Sequence, residues 1–154
     1  MVRRGSLTFI LVFILAFLMT ACGSTAKGEV ELGFNPYQGA AMLEVPATFK
    51  SEMDISLKSI KESRYEAYKT GDEINKVKSY YADSFKKNGW EDKTSEMTAK
   101  SQGITALPGS FAMLFQKGNE AAAILAFSGE QAKGMGFDGV GAGDTFFLVL
   151  KGKR

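Results

Sequence analysis

The chain has 154 residues, enough for about one domain, with 19 Lys and Arg against 17 Asp and Glu, no histidine and a single cysteine. The missing histidine excludes Ser-His-Asp, Cys-His and His-based zinc chemistry within the chain. One cysteine permits neither an internal disulfide nor a thiolate metal cluster, and the balanced charge gives nucleic acid no electrostatic footprint.

The first 22 residues carry the most specific pattern. Arg3 and Arg4 form a positive start, and Leu7 to Ala21 is an uncharged run of 15 residues. As a helix that run reaches about 22 Å, short of the ~30 Å hydrocarbon core, which fits the apolar region of an export signal better than a permanent span. It ends in Met19-Thr20-Ala21-Cys22-Gly23-Ser24. This resembles the lipobox of bacterial lipoproteins, with Met19 in place of the more usual Leu. The resemblance implies cleavage between Ala21 and Cys22, a diacylglyceryl group on the Cys22 thiol and acylation of the new amine. Two or three acyl chains, at about 0.8 kcal/mol per buried CH₂, hold a protein stably at a membrane. The membrane is thus the first expected partner, reached through lipid on Cys22. Lys27 is the only base between Cys22 and Phe49, so attachment rests on the lipid. Gly23 is not the Asp of inner-membrane retention. By analogy with the lipoproteins, this implies the periplasmic face of the outer membrane in a two-membrane cell, and the outer face of the plasma membrane otherwise.

Three regions follow: a signal peptide over 1–21, the lipidated cysteine with a flexible tether over 22–39, and a single domain over 40–154. Residues 23–38 are small, polar and glycine-punctuated, and extended they reach roughly 50 Å. Within the tether, Phe34 and Tyr37 are available to dock back onto the domain or onto a partner.

In chain order, Ala41 to Val45 is a short strand stopped by Pro46. The alternation Met53, Ile55, Leu57 predicts a strand within 51–61, and Arg64 to Lys69 a second, aromatic-rich one. Thr70 and Glu73 read as a capping box opening a helix over 72–88, with Ile74, Val77, Tyr81 and Phe85 as its apolar stripe. Asn88-Gly89-Trp90 predicts a Schellman stop in which Trp90 meets Phe85. A strand near 91–98, a loop over 101–110, a hairpin of Phe111–Phe115 with Ala121–Phe127, a glycine-rich loop over 128–143 and a closing strand Thr145–Leu150 complete the chain. The expected class is α+β, one main helix packed on a mainly antiparallel sheet in two layers. The stretch from Tyr68 through Gly89-Trp90 to Phe111–Lys117 resembles a small α+β domain of bacterial envelope lipoproteins; its shape is similar to helix-on-sheet domains of outer-membrane assembly lipoproteins, a likeness of fold more than of function.

Gly134-Met135-Gly136-Phe137-Asp138-Gly139 matches G-x-G-x-x-G, but a strand follows it where a dinucleotide site needs a helix. No carboxylate pair stands out for acid–base work, since Asp72, Asp83, Asp138 and Asp144 all have cap, surface or turn roles, and Asp138 with Asp144 is too few oxygens for calcium. The chain therefore reads as non-enzymatic, with no cofactor and no metal. Tyr80 lies off the helix stripe and is a candidate contact, as are Phe111 and Phe115 in the hairpin. Lys76, Lys78, Lys86 and Lys87 form a basic, solvated helix face.

These features predict a lipid-anchored binding or scaffold module of the cell envelope, with an envelope protein as candidate partner. Its contact face is expected on the sheet opposite the helix or at the glycine-rich loop. The alternative is a carrier of a small hydrophobic ligand or lipid, which predicts a cavity lined by Phe111, Phe115, Leu125 and Phe147.

Overall fold

The computed structural model of the chain describes residues 35–58, 60, 62–100 and 108–153, the side chains of 99 and 100 excepted. The signal peptide, Ala21 and Cys22 lie outside the described residues, as does most of the tether. So does most of the 101–110 loop. Among the described residues no helix is long and apolar enough to cross a membrane.

Six strands form one antiparallel sheet: β1 (Ala41–Leu43), β2 (Glu62–Thr70), β3 (Glu91–Asp92), β4 (Phe111–Lys117), β5 (Glu120–Ser128) and β6 (Thr145–Lys153). Their spatial order is β1-β2-β6-β5-β4-β3, with every neighbouring pair antiparallel. Among the described residues four helices accompany them: α1 (Ala47–Ser56), α2 (Ile74–Lys87), α3 (Thr94–Lys100) and α4 (Gly129–Gly134). The α+β class, with a main helix on an antiparallel sheet, is what the sequence led us to expect.

The central strands read Ala-Ala-Ala-Ile-Leu-Ala-Phe and Thr-Phe-Phe-Leu-Val-Leu because both of their faces are buried. On one face Tyr68, Met113, Phe115, Ile124, Phe147 and Val149 meet Val77, Tyr81 and Phe85 of α2, with Trp90 beyond. On the other, Leu114, Leu125, Phe127, Phe146, Leu148 and Leu150 meet Phe49 and Met53 of α1, Met97 of α3, Ala132 of α4, and Phe137 and Val140 of the loop after it. The sheet surface opposite α2, one of the two expected contact faces, is therefore covered by short helices and is not an open platform. Apolar side chains on both sides of central strands must all be taken out of water, so a single helix is too little cover.

Several local expectations are corrected. Residues 47–56 are helical, because the buried positions are Phe49, Met53 and Leu57, spaced by four, while Ile55 is 74% exposed. The expected strand of 91–98 is cut to two residues: the Asp92 carboxylate accepts from the Thr94 N–H at 2.8 Å and turns the chain into α3. Within 128–143, Ser128 and Gln131 form a capping box that opens α4. The box proposed for Thr70 and Glu73 is not made. Thr70 is the last residue of β2, paired with Thr145, and its hydroxyl accepts from the Asp72 N–H at 3.2 Å. The N-cap of α2 is Glu73, which makes no side-chain cap bond.

The stop of α2 forms as expected. Gly89 has φ 75°, the Trp90 N–H donates to the Phe85 carbonyl at 3.0 Å, and the Gly89 N–H to that of Lys86 at 3.1 Å. The rings of Phe85 and Trp90 meet edge to face at 5.3 Å between centroids.

Candidate functional site

The described chain begins as a strap across the N-terminal half of α2. Tyr37 is its pin. Its ring lies edge-on to Tyr80 at 5.2 Å and to Phe147 at 6.3 Å, and its N–H donates to the Tyr81 hydroxyl at 3.2 Å. Its own hydroxyl donates to Asp72 at 3.0 Å, and Lys76 reaches the other oxygen of that carboxylate at 2.9 Å. The Tyr80 hydroxyl completes the attachment by donating toward the carbonyls of Asn35 and Pro36, each at 3.2 Å. The hydrogen bonds from Lys76 and Tyr37 hold the Asp72 carboxyl below the usual range. Burial, then the bond to Asp72, pushes the Tyr37 phenol up.

Between strap and helix runs an open groove of about 690 Å³. Tyr37, Gln38 and Gly39 form one wall. The other is Asp72, Asn75, Lys76, Ser79 and Tyr80, spaced as one helical stripe beside the buried stripe of Val77 and Tyr81. The side chains of Gln38, Asn75 and Ser79 have no hydrogen-bond partner among the described residues, while Asp72 and Lys76 are committed to each other.

Of the residues singled out from sequence, Tyr80 lines this groove, half-buried rather than fully exposed. Phe111 is half-buried at the edge of the α2 face, with the Lys78 ammonium 6.0 Å from its ring centre. Phe115 is only 2% exposed and lies in the core. The four residues expected to line one cavity are divided by the sheet: Phe111, Phe115 and Phe147 face α2, whereas Leu125 faces α1 and α4. Gln38, Asn75 and Ser79 were not anticipated, although the 72/75/76/79/80 spacing is legible.

Elsewhere several charged side chains are paired with one another. On the α2 side of the sheet, beyond the helix, Arg64 pairs with Glu66 at 2.7 Å, Lys151 with Glu120 at 3.1 Å and Lys153 with Glu62 at 3.7 Å. Tyr68 donates to Glu66, and burial holds its phenol above the usual range. In the glycine-rich loop the Lys69 ammonium donates to the Gly139 carbonyl and lies 3.7 Å from Asp144. Among the described residues no three His, Cys, Asp or Glu side chains come together as a metal-binding group. The G-x-G-x-x-G stretch begins at the last residue of α4 and leads into β6.

This architecture is an α+β domain with its main helix on an antiparallel sheet, and comparison with protein families agrees with a small domain. Residues 58–129, spanning β2 through β5, match a family model described as START domain-like. No curated protein and no solved structure matches the chain.

Proposed function

We propose that the chain is an exported, lipid-anchored binding module of the cell envelope that performs no catalysis. The observation that carries this reading is the START domain-like match, which supports a ligand-binding domain. The lipobox-like run ending at Cys22 supports the anchor. Acyl chains on Cys22 confine the domain to a membrane surface, the segment to residue 34 sets its reach, and confinement raises the effective concentration so that a weak contact suffices. The strap enters the domain at α2, so a ligand bound beside Tyr37 and Tyr80 sits next to the anchored segment.

The carrier of a hydrophobic ligand is the second reading, and the same family match favours it. The stacking of Phe85 on Phe115 and of Tyr68 on Phe147 favours a surface site over one between α2 and the sheet.

The test is native mass spectrometry of the full chain extracted from its own membranes. A reproducible non-covalent adduct supports a ligand-binding module. A lipid mass assigns the carrier, and a polar or protein mass assigns the surface module. An unliganded chain that also fails to bind any fraction of envelope extract contradicts both.

A further inference from the structure

The geometry points to the groove between the strap and α2 as a subsite for an uncharged glycan. The inference rests on the reading of a ligand-binding module and names the ligand class for it.

Three features of the groove select that chemistry. Its two charges cancel, since Asp72 and Lys76 are bonded to each other at 2.9 Å and Tyr37 takes the second carboxylate oxygen. The Asp72 carboxylate beside the Lys76 ammonium offsets its attraction for a phosphate or an anionic headgroup, so the lining offers no net positive charge and a neutral ligand is preferred. The lining groups without a hydrogen-bond partner among the described residues are two amides and a hydroxyl, Gln38, Asn75 and Ser79. Each of them both donates and accepts, as the hydroxyls of a sugar do. Tyr37 and Tyr80 pack edge to face at 5.2 Å in the lining, their phenol groups already bonded, and together present one half-buried aromatic surface for the C–H face of a pyranose to lie against. An acyl chain would instead cover those polar groups without bonding them, at a cost for each. The groove is open along the helix rather than enclosed, and 690 Å³ accommodates a short oligosaccharide lying across it. The binding stripe on α2 is separate from the stripe that builds the core, so a ligand can be held without disturbing Val77, Tyr81 or Phe85.

The experiment titrates the full chain, solubilised in a phosphocholine detergent because a maltoside headgroup would itself compete. The probes are the β-1,4-linked tetramer of N-acetylglucosamine, cellotetraose and maltotetraose, followed by amide chemical shifts and calorimetry. At least one tetrasaccharide is expected to bind with a Kd below about 1 mM and to shift the amides of 37–39 and 75–80. Asn75→Ala and Ser79→Ala, whose side chains support no other described residue, are each expected to weaken it about tenfold. Tyr80→Ala is expected to do the same, and Lys133→Ala on α4 to leave it unchanged. Absence of binding by all three probes up to about 10 mM overturns the assignment, as does binding indifferent to Asn75 and Ser79. A fluorescent fatty acid serves as the parallel probe. If it binds where the glycans do not, the glycan assignment falls while the ligand-binding reading stands.

Discussion

The ring of Phe85 lies flat on that of Phe115, 3° from parallel with centroids 4.1 Å apart. One comes from the C-terminal turn of α2 and the other from β4, so this stack ties the main helix to the far half of the sheet. It also removes Phe115 from contact with any external ligand. Phe115→Ala should cost about 3–5 kcal/mol in urea unfolding, as for other large-to-small core changes. Phe111→Ala, at the half-buried edge, should cost less than half as much. Equal and small effects would mean that the hairpin aromatics are not core.

The strap makes a second, separable contribution. Tyr37→Phe keeps the ring contacts with Tyr80 and Phe147 but loses the hydrogen bond to Asp72. It should cost about 0.5–1.5 kcal/mol, and Tyr37→Ala about 1–3 kcal/mol. Amide exchange should locate the change: protection lost at Tyr37 and Ala40, whose N–H groups bond to Tyr81 and to the Tyr37 carbonyl, and retained in β5 and β6. Uniform loss of protection would show that the strap is not an independent unit.

The same latch sets a pH window. Asp72 has a folded pKa below its ordinary 3.8, so its contribution is fully present above that value and is lost as pH falls through the folded one. Tyr37 has a folded pKa above its ordinary 10.0, so its contribution holds below 10 and is lost as pH rises through the folded value. Exchange protection of 37–40 should therefore be flat from about pH 5 to pH 9 and fall outside it. A midpoint inside that interval would contradict the Tyr37–Asp72–Lys76 arrangement.

Two glycines should respond differently to alanine. At Gly89 the obstacle is the backbone, with φ 75° and no atom nearer than 4.0 Å to an added Cβ, so Gly89→Ala should cost about 1–2 kcal/mol and Gly89→Asn less. At Gly129 a Cβ would stand 1.8 Å from the Gly141 carbonyl oxygen. Gly129→Ala should cost more than about 3 kcal/mol, read as a drop in Tm. A smaller drop there would mean that the 141–144 turn moves freely.

The parts of the fold legible in the sequence were those written in a single local code. Asn88-Gly89-Trp90 fixes the end of α2, and the hairpin at Gly118-Asn119 fixes β4 against β5. Residues 47–57 misled because two periods overlap there. Met53, Ile55 and Leu57 alternate like a strand, but Phe49, Met53 and Leu57 repeat like a helix, and the core of the second face decides for the latter. The Ser128/Gln131 capping box was obscured by the glycines after it. Of the site, Tyr80 was visible as an aromatic off the buried stripe. Tyr37 was visible as an aromatic free to dock back, but not its landing place on Tyr80 nor the bonds to the Asn35 and Pro36 carbonyls, because the strap lies at least 40 residues away in sequence and long-range docking has no local signature.

The most direct test of the account is metabolic labelling of cells expressing the full chain with palmitate, with Cys22→Ala alongside. Label is expected on the membrane-fractionating wild-type chain and none on Cys22→Ala, which should also keep its uncleaved residues 1–21 and run larger on a gel. An unlabelled wild-type chain, or equal labelling of Cys22→Ala, would contradict the anchor and with it the confinement on which the proposed function depends.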